Sequence, residues 1–283
     1  MKKLLLGLIG AGNQRSMSPA LHEEEGRHHG LRVHYQLIDL DAARLGVEAL
    51  PELMRAVRAI GFAGLNITFP CKQAVIPLLD ALSDEARAIG AVNTVVRDGE
   101  RLIGHNTDGS GWSWGLRRAL PRADLRRVAL LGAGGAGSAC GDAVLRLGAQ
   151  HLSIFDRDAG RAAALAARLN RHLPGTRAAP AADLGAALAG ASGLIHATPT
   201  GMEKTPGMPL PPGLLRPSLW VAEVVYVPLE TELLRSARAL GCATLDGGHM
   251  AVGQAIGAFK LFTGRDPDSA RMDAHFRRLA RDA

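Results

Sequence analysis

The sequence predicts an α/β protein of two domains, on three observations. Apolar runs of strand length alternate with Ala- and Leu-rich stretches of helical period along most of the chain. One run, Val128-Ala-Leu-Leu131, ends in glycines spaced G-x-G-x-x-G at Gly132, Gly134 and Gly137, and a helical stretch follows. The length of 283 residues allows one large or two ordinary domains.

The elements follow in order. Residues 4–9 read as a buried strand. The start Met1-Lys-Lys-Leu-Leu-Leu resembles the charged and apolar regions of a signal peptide. Its apolar stretch is short, however, and it runs into Gly10-Ala-Gly-Asn-Gln-Arg15 without a clear small-x-small cleavage site. Ser18-Pro19 opens a helix, with Ser18 as N-cap and Pro19 at the first helical position. Residues 33–40 read as a strand, 50–60 as a helix and 64–68 as a short strand. Residues 74–82 and 83–89 read as helical, the second capped by Ser83. Residues 91–97 and 101–104 read as a strand pair about a turn at Asp98-Gly99. Residues 108–120 form a linking helix that leads to a junction at Pro121-Arg-Ala-Asp-Leu125.

From Val128 the pattern is that of a nucleotide-binding domain. Strands at 128–131, 151–155, 193–196 and 220–225 alternate with Ala-rich helices, which implies a parallel sheet with right-handed crossovers. Gly132 makes the tight turn, Gly134 admits a pyrophosphate to the backbone, and Gly137 lets the helix pack on the strand. Gly135 and Ala136 complete the turn. The strand ending in Phe155 is followed by Asp156, near the spacing of about 20 residues at which an acid accepts from the adenosine ribose. A carboxylate there repels a 2′-phosphate, so the expected cofactor is NAD. Arg157 leaves NADP open, since a guanidinium can stack on adenine or attract that phosphate.

Composition bounds the partners. The net charge is +6, but the basic residues are scattered and aromatics make up only 4%. No basic run is interleaved with aromatics, which argues against nucleic acid. A mild positive field suits an anionic substrate. The three cysteines, Cys71, Cys140 and Cys242, have neither metal nor disulfide spacing, which fits the cytoplasm. Apart from the N-terminus, no apolar stretch approaches membrane-spanning length. No metal site and no membrane partner are expected.

Short polar clusters punctuate the first half. Ser16 and Ser18 stand at a helix start, where free N–H groups favour an anion. Asn66 and Thr68 share one side of a strand, and Lys72 follows a proline turn. Asn93, in Gly90-Ala-Val-Asn-Thr94, offers donor and acceptors, or simply forms a strand-entry turn. Asn106, Thr107 and Asp108 precede a helix, and taken alone Asp108 reads as its cap. Together the clusters suit a small, anionic, polyhydroxylated ligand, with one lysine and one aspartate to handle a proton.

These residues resemble the shikimate and quinate dehydrogenases over almost the whole chain. S-x-S/T-P-x-x-H appears as Ser16–His22, N-x-T-x-P-x-K as Asn66–Lys72, G-A-V-N-T at 90–94 and G-x-N-T-D as Gly104–Asp108. A-T-P-x-G-M follows at 197–202, V-Y-x-P-x-x-T-x-L-L at 225–234, and a late glutamine at Gln254. The resemblance implies a substrate domain (1–107 with 251–283) and a Rossmann-type domain (108–250). The active site lies in the cleft between them, and the last helices return to the first domain. It implies Ser16 and Ser18 on the substrate carboxylate, and Asn66, Thr68, Asn93, Asp108 and Gln254 on ring hydroxyls. Lys72 and Asp108 become the catalytic pair. Thr198, Pro199, Met202, Val224, Gly248 and Met250 lie along the dinucleotide, with Tyr226 near the nicotinamide and the substrate. The implied activity is hydride transfer between NAD and shikimate or quinate, by a monomer or homodimer.

Two positions depart from the pattern: His196 where the family usually has Asn, and Glu223 where Asp is common. Both read as local hydrogen-bond adjustment, or as altered cofactor placement or a pH-sensitive rate through His196. The alternatives carried forward are a biosynthetic NADP enzyme, an aminoshikimate-type enzyme, and a dinucleotide-binding protein without turnover.

Overall fold

A computed structural model describes residues 2–175 and 177–282. The strands and helices run β1 (Lys2–Gly10), α1 (Ser18–His28), β2 (Leu31–Asp39), α2 (Leu50–Ile60), β3 (Gly64–Ile67), α3 (Cys71–Ala74), β4 (Ala81–Leu82) and α4 (Asp84–Ile89). Next come β5 (Thr94–Asp98), β6 (Arg101–His105), α5 (Asp108–Ala119), β7 (Arg127–Leu131), α6 (Gly135–Arg146), β8 (His151–Phe155), α7 (Ala159–His172) and β9 (Ala178–Pro180). The last are α8 (Leu184–Leu188), β10 (Gly193–His196), β11 (Trp220–Glu223), α9 (Glu232–Ala239), β12 (Thr244–Leu245), α10 (Gly247–Thr263) and α11 (Ser269–Asp282). The chain divides into two compact units. One holds the residues up to Thr107 and those from Gln254 onward; the other is Asp108–Gly253.

The first unit is built on a six-stranded sheet of order β2-β1-β3-β5-β6-β4. β1 pairs in parallel with β2 and β3, while β5 runs antiparallel to both of its neighbours, β3 and β6. The β5–β6 hairpin turns at Asp98-Gly99, where Gly99 has φ +58°. β1 is buried on both faces, so its residues read as a continuous apolar run. Leu6 and Leu8 face Tyr35, Ala258 and Phe262, whereas Ile9 faces Leu65, Ile67 and Val95. α11 is tied to α1 by Arg271, whose Nε and Nη2 donate to the buried Glu25 carboxylate at 2.8 and 2.6 Å. Burial pushes the Glu25 pKa up, but the Arg271 hydrogen bonds outweigh it and hold the acid below its usual range.

The second unit is a six-stranded, wholly parallel sheet of order β12-β11-β10-β7-β8-β9. Counted from β7, this is the doubly wound order 3-2-1-4-5-6 seen from its other edge. Alternation places successive residues in different cores. Val128, Leu130 and Ile195 pack with Trp112 and Val144, while Ala129, Leu131 and Leu194 pack with Leu233 and Leu234. Caps set several helix starts: Asp158 accepts from Gly160 and Arg161 N–H, and Thr231 from Leu234 N–H.

Several expectations change. Ser18 is not the N-cap: Met17 occupies that position, Ser18 is the first helical residue, and Ser16 Oγ accepts the Ser18 N–H at 3.2 Å. The helix expected over 74–82 ends at Ala74, and residues 81–82 form a strand beside β6. Pro77 within this stretch has no N–H to give a helix. The segment 121–125 is no unit boundary. Its Asp124 carbonyl accepts from Trp220 Nε1 and Ser192 Oγ, inside the second unit. β9 and β12 were not expected.

Candidate functional site

In the first unit, the loop after β1 carries Ser16 and is pinned from beneath. Asp39, the last residue of β2, accepts N–H bonds from Gly12 at 2.9 Å, Asn13 at 3.0 Å and Asp41 at 3.0 Å. Burial pushes the Asp39 pKa up, but these bonds prevail and hold it below the usual carboxylate range. Gly10 is needed where β1 ends, because a Cβ there would stand 2.2 Å from Thr68 Cγ2. Ser16 and Ser18 are half-buried at the start of α1.

A buried amide network occupies the ends of β3 and β5. Asn66 Oδ1 accepts from Tyr35 Oη at 2.8 Å, and its Nδ2 donates to the Asn93 carbonyl and Thr94 Oγ1. Asn93 Nδ2 donates to Thr107 Oγ1 at 2.9 Å, while Asn93 Oδ1 accepts the Thr107 N–H at 2.8 Å. Asn106 Nδ2 holds the Ala91 carbonyl. The network thus brings together Asn66, Asn93 and Thr107, and fixes each amide by its donors and acceptors. Thr68 is half-buried just beyond β3, and its carbonyl accepts the Cys71 N–H. Lys72 is half-buried on α3, after the cis Phe69–Pro70 bond, and its carbonyl accepts the Val92 N–H. Gln254 is half-buried on α10.

Two residues of this unit had no part in the sequence reading. Tyr35 orients Asn66, and Asp39 holds the loop. His22 had been read only as part of a motif. It is fully buried, stacks on Tyr35 at 5.1 Å between centroids, and has no hydrogen-bond partner on either ring nitrogen. Burial pushes its pKa down to about 3.

In the second unit, Gly132 has φ +102°, and a Cβ there would stand 2.6 Å from the Ala197 carbonyl oxygen. A Cβ on Gly137 would stand 1.9 Å from the Gly132 carbonyl oxygen. The chain's own packing therefore requires both glycines. Gly134 is different: a Cβ there meets nothing nearer than Arg161 Nη2 at 3.7 Å. The bare backbone at Gly134, N-cap of α6, leaves room for an incoming group at a helix N-terminus. Gly135 and Ala136 begin that helix and are half-buried. Asp156 Oδ2 accepts the Ala133 N–H at 2.7 Å, so the carboxylate stands at the turn. Arg157 is exposed beside it. These residues fit a dinucleotide: a cradle of N–H groups for a pyrophosphate, and a carboxylate with spare lone pairs for a ribose. Arg161 was missed; it lies on the first turn of α7.

Thr198 is half-buried next to the turn, with its Cγ2 3.0 Å from the Cβ position of Gly132. Pro199 and Met202 are exposed, whereas Val224 and Tyr226 are half-buried after β11. Gly248 is buried in the first turn of α10, its N–H donating to Asp246 Oδ1. Met250 packs into the core with Trp112 and Leu245. Asp108 is buried as the first residue of α5. Among the described residues, no cluster of three His, Cys, Asp or Glu side chains could hold a metal ion, and no helix is long and apolar enough to cross a membrane. Cys71, Cys140 and Cys242 are buried, and none of them is in a disulfide among the described residues.

Comparison with known proteins agrees with this construction. Residues 8–95 match the shikimate dehydrogenase substrate binding domain. The chain is 59% identical to a shikimate dehydrogenase (NADP(+)) of Streptomyces avermitilis, over 98% of this chain and 96% of the relative. It is 47% identical to a quinate/shikimate dehydrogenase (NAD(+)) of Corynebacterium efficiens, over 96% and 97%. Among solved structures it is similar to quinate dehydrogenase from Corynebacterium glutamicum in complex with NAD. That match has a TM-score of 0.89 and 46% identity, covering 98% of this chain and all of the other.

Proposed function

Because the chain belongs to the shikimate and quinate dehydrogenase family, we propose that it reversibly oxidises a ring hydroxyl of shikimate, quinate or both with NAD. The products are 3-dehydroshikimate and 3-dehydroquinate. It is an oxidoreductase acting on CH–OH. When bound, the nicotinamide accepts the hydride in oxidation and returns it in reduction.

The protein's own part is to bind, orient and move one proton. Ser16 and Ser18 hold the substrate carboxylate. Asn66, Thr68, Asn93, Gln254 and Tyr226 hold ring hydroxyls. Lys72 Nζ takes the proton of the reacting hydroxyl in oxidation and gives it back in reduction, with Asp108 as its partner. Supporting this reading is the rigidity of the Asn66–Asn93–Thr107 network, whose amides are already oriented and need no reordering when a polyol arrives. In this reading residues 1–107 with 251–283 bind the substrate, residues 108–250 bind the dinucleotide, and the enzyme works in the cytoplasm as a monomer or homodimer.

The observation that carries the choice of NAD is the Asp156 carboxylate against the Ala133 N–H. A 2′-phosphate placed at the adenosine ribose would face that negative charge. NADP is the second reading. It is favoured by Arg161, whose guanidinium is near Gly134, and by the exposed Arg157. The test is initial rates for shikimate and quinate, each with NAD and with NADP, followed by nicotinamide absorbance. Turnover with NAD on either acid supports the reading, and preference for NADP overturns the role of Asp156. Binding of a dinucleotide without turnover on either acid leaves the dinucleotide site and removes the substrate.

A further inference from the structure

The two departures from the family pattern touch each other. His196 ends β10, Glu223 ends β11, and the parallel register sets them side by side. Both side chains are fully buried. His196 Nδ1 lies 2.8 Å from Glu223 Oε1, and His196 Nε2 lies 2.5 Å from Thr198 Oγ1.

The hydrogen-bond directions can be assigned by counting donors. Glu223 Oε1 accepts the backbone N–H of Val224 at 2.9 Å and of Val225 at 3.0 Å. Thr231 Oγ1 accepts the Leu234 N–H, so its own hydrogen is available to Glu223 Oε2 at 3.0 Å. The carboxyl is thus surrounded by donors and acts as acceptor only, and His196 Nδ1 must carry a hydrogen toward it. In the neutral imidazole, a hydrogen on Nδ1 leaves Nε2 as a lone pair. The Thr198 hydroxyl therefore donates inward to Nε2. One of its lone pairs accepts the Thr200 N–H at 3.3 Å, while the Thr198 methyl Cγ2 lies against the turn at Gly132.

We propose that Glu223 and His196 are positioning residues that hold the Thr198 hydroxyl as an acceptor for an N–H or O–H donor of the bound dinucleotide. The proposal rests on the dinucleotide reading of the second unit. It assigns Thr198 to a ribose hydroxyl or the carboxamide, since a hydroxyl whose hydrogen is engaged by His196 Nε2 offers only lone pairs and repels phosphate oxygens.

The test is a mutant cycle on the full chain, read by fluorescence titration of NADH and NADPH with Tm measured alongside. His196→Asn keeps a nitrogen for Glu223 but stops short of Thr198, whereas His196→Gln reaches Thr198. Thr198→Val and His196→Asn should each weaken binding about tenfold, the scale of one lost hydrogen bond. The double variant should bind no more weakly than either single, and His196→Gln should recover most of the loss. Factors that multiply in the double, or His196→Asn that lowers Tm while binding stays native, overturn the relay. Should His196→Asn fail to fold, the other two singles decide: Thr198→Val must weaken binding and His196→Gln must spare it, and any other result overturns the relay. A wild-type chain that binds neither dinucleotide overturns the functional reading and the relay together. Native binding with a multiplicative cycle overturns the relay alone.

Discussion

The glycines of the turn should separate into a structural and a binding class, and alanine at Gly137 and Gly134 separates them. At Gly137 the added Cβ would stand 1.9 Å from the Gly132 carbonyl oxygen. That oxygen belongs to the backbone, and φ +102° at Gly132 leaves the turn little freedom to shift. The helix must back away from β7 by about 1.5 Å to restore normal contact. Overpacking of this kind costs about 1–3 kcal/mol. At about 2–4 °C per kcal/mol for a domain of this size, Gly137→Ala should lower Tm by about 2–12 °C. At Gly134 the added Cβ meets only Arg161 Nη2 at 3.7 Å, an ordinary contact. Gly134→Ala should leave Tm within about 1 °C, because the protein itself does not use the space. It should nonetheless weaken NADH binding at least tenfold, about 1.4 kcal/mol, because the methyl intrudes where the pyrophosphate approaches. Differential scanning fluorimetry and NADH fluorescence titration on the same samples read both quantities. Native affinity in Gly134→Ala, or equal Tm losses in the two variants, would refute the division.

Further perturbations test other parts of the molecule. Lys72→Ala should lower kcat by about 100-fold, the scale of general acid–base catalysis, with a smaller change in KM; retained turnover in steady-state kinetics removes the lysine from the mechanism. His22 is fully buried with its pKa depressed to about 3. The unfolded chain, with histidine near 6.5, then binds the extra proton between those values, so stability rises with pH across that window. The fall in Tm on acidification from about pH 6.5 toward pH 3 should be smaller in His22→Phe than in wild type; parallel Tm curves refute the assignment. Arg271→Ala takes the guanidinium from the Glu25 carboxylate, which is 1% exposed and keeps the His29 ring and the Asp268 N–H. It should cost about 3 kcal/mol, the low end for a broken buried pair because Arg271 is partly solvated. Urea unfolding reads the loss, and Glu25→Gln in the same background should recover part of it.

Much of the architecture was legible because it is written in local patterns. The continuous apolar runs of β1, β7 and β10 mark strands buried on both faces, and they alternate between two cores as period two requires. The Asp98-Gly99 turn and the Ser83 cap are single-residue signals, and Ser83 Oγ does accept the Ala86 N–H. β9 and β12 escaped because edge strands of three and two residues carry no periodicity. The start of α1 was misread because Ser16 and Ser18 offer equivalent hydroxyls, and only the path of the loop held by Asp39 decides which one accepts an N–H.

The sequence by itself determined the alternation of strand and helix, the glycine turn with Asp156 at the end of the next strand, and the polar motifs that mark the family. These follow from periodicity and turn chemistry within short windows of chain. Only the tertiary structure decided which polar groups meet. Tyr35 reaches Asn66 across 31 positions, and His196 reaches Glu223 across 27. Those encounters depend on strand order and parallel register, which long-range packing sets and no local pattern encodes.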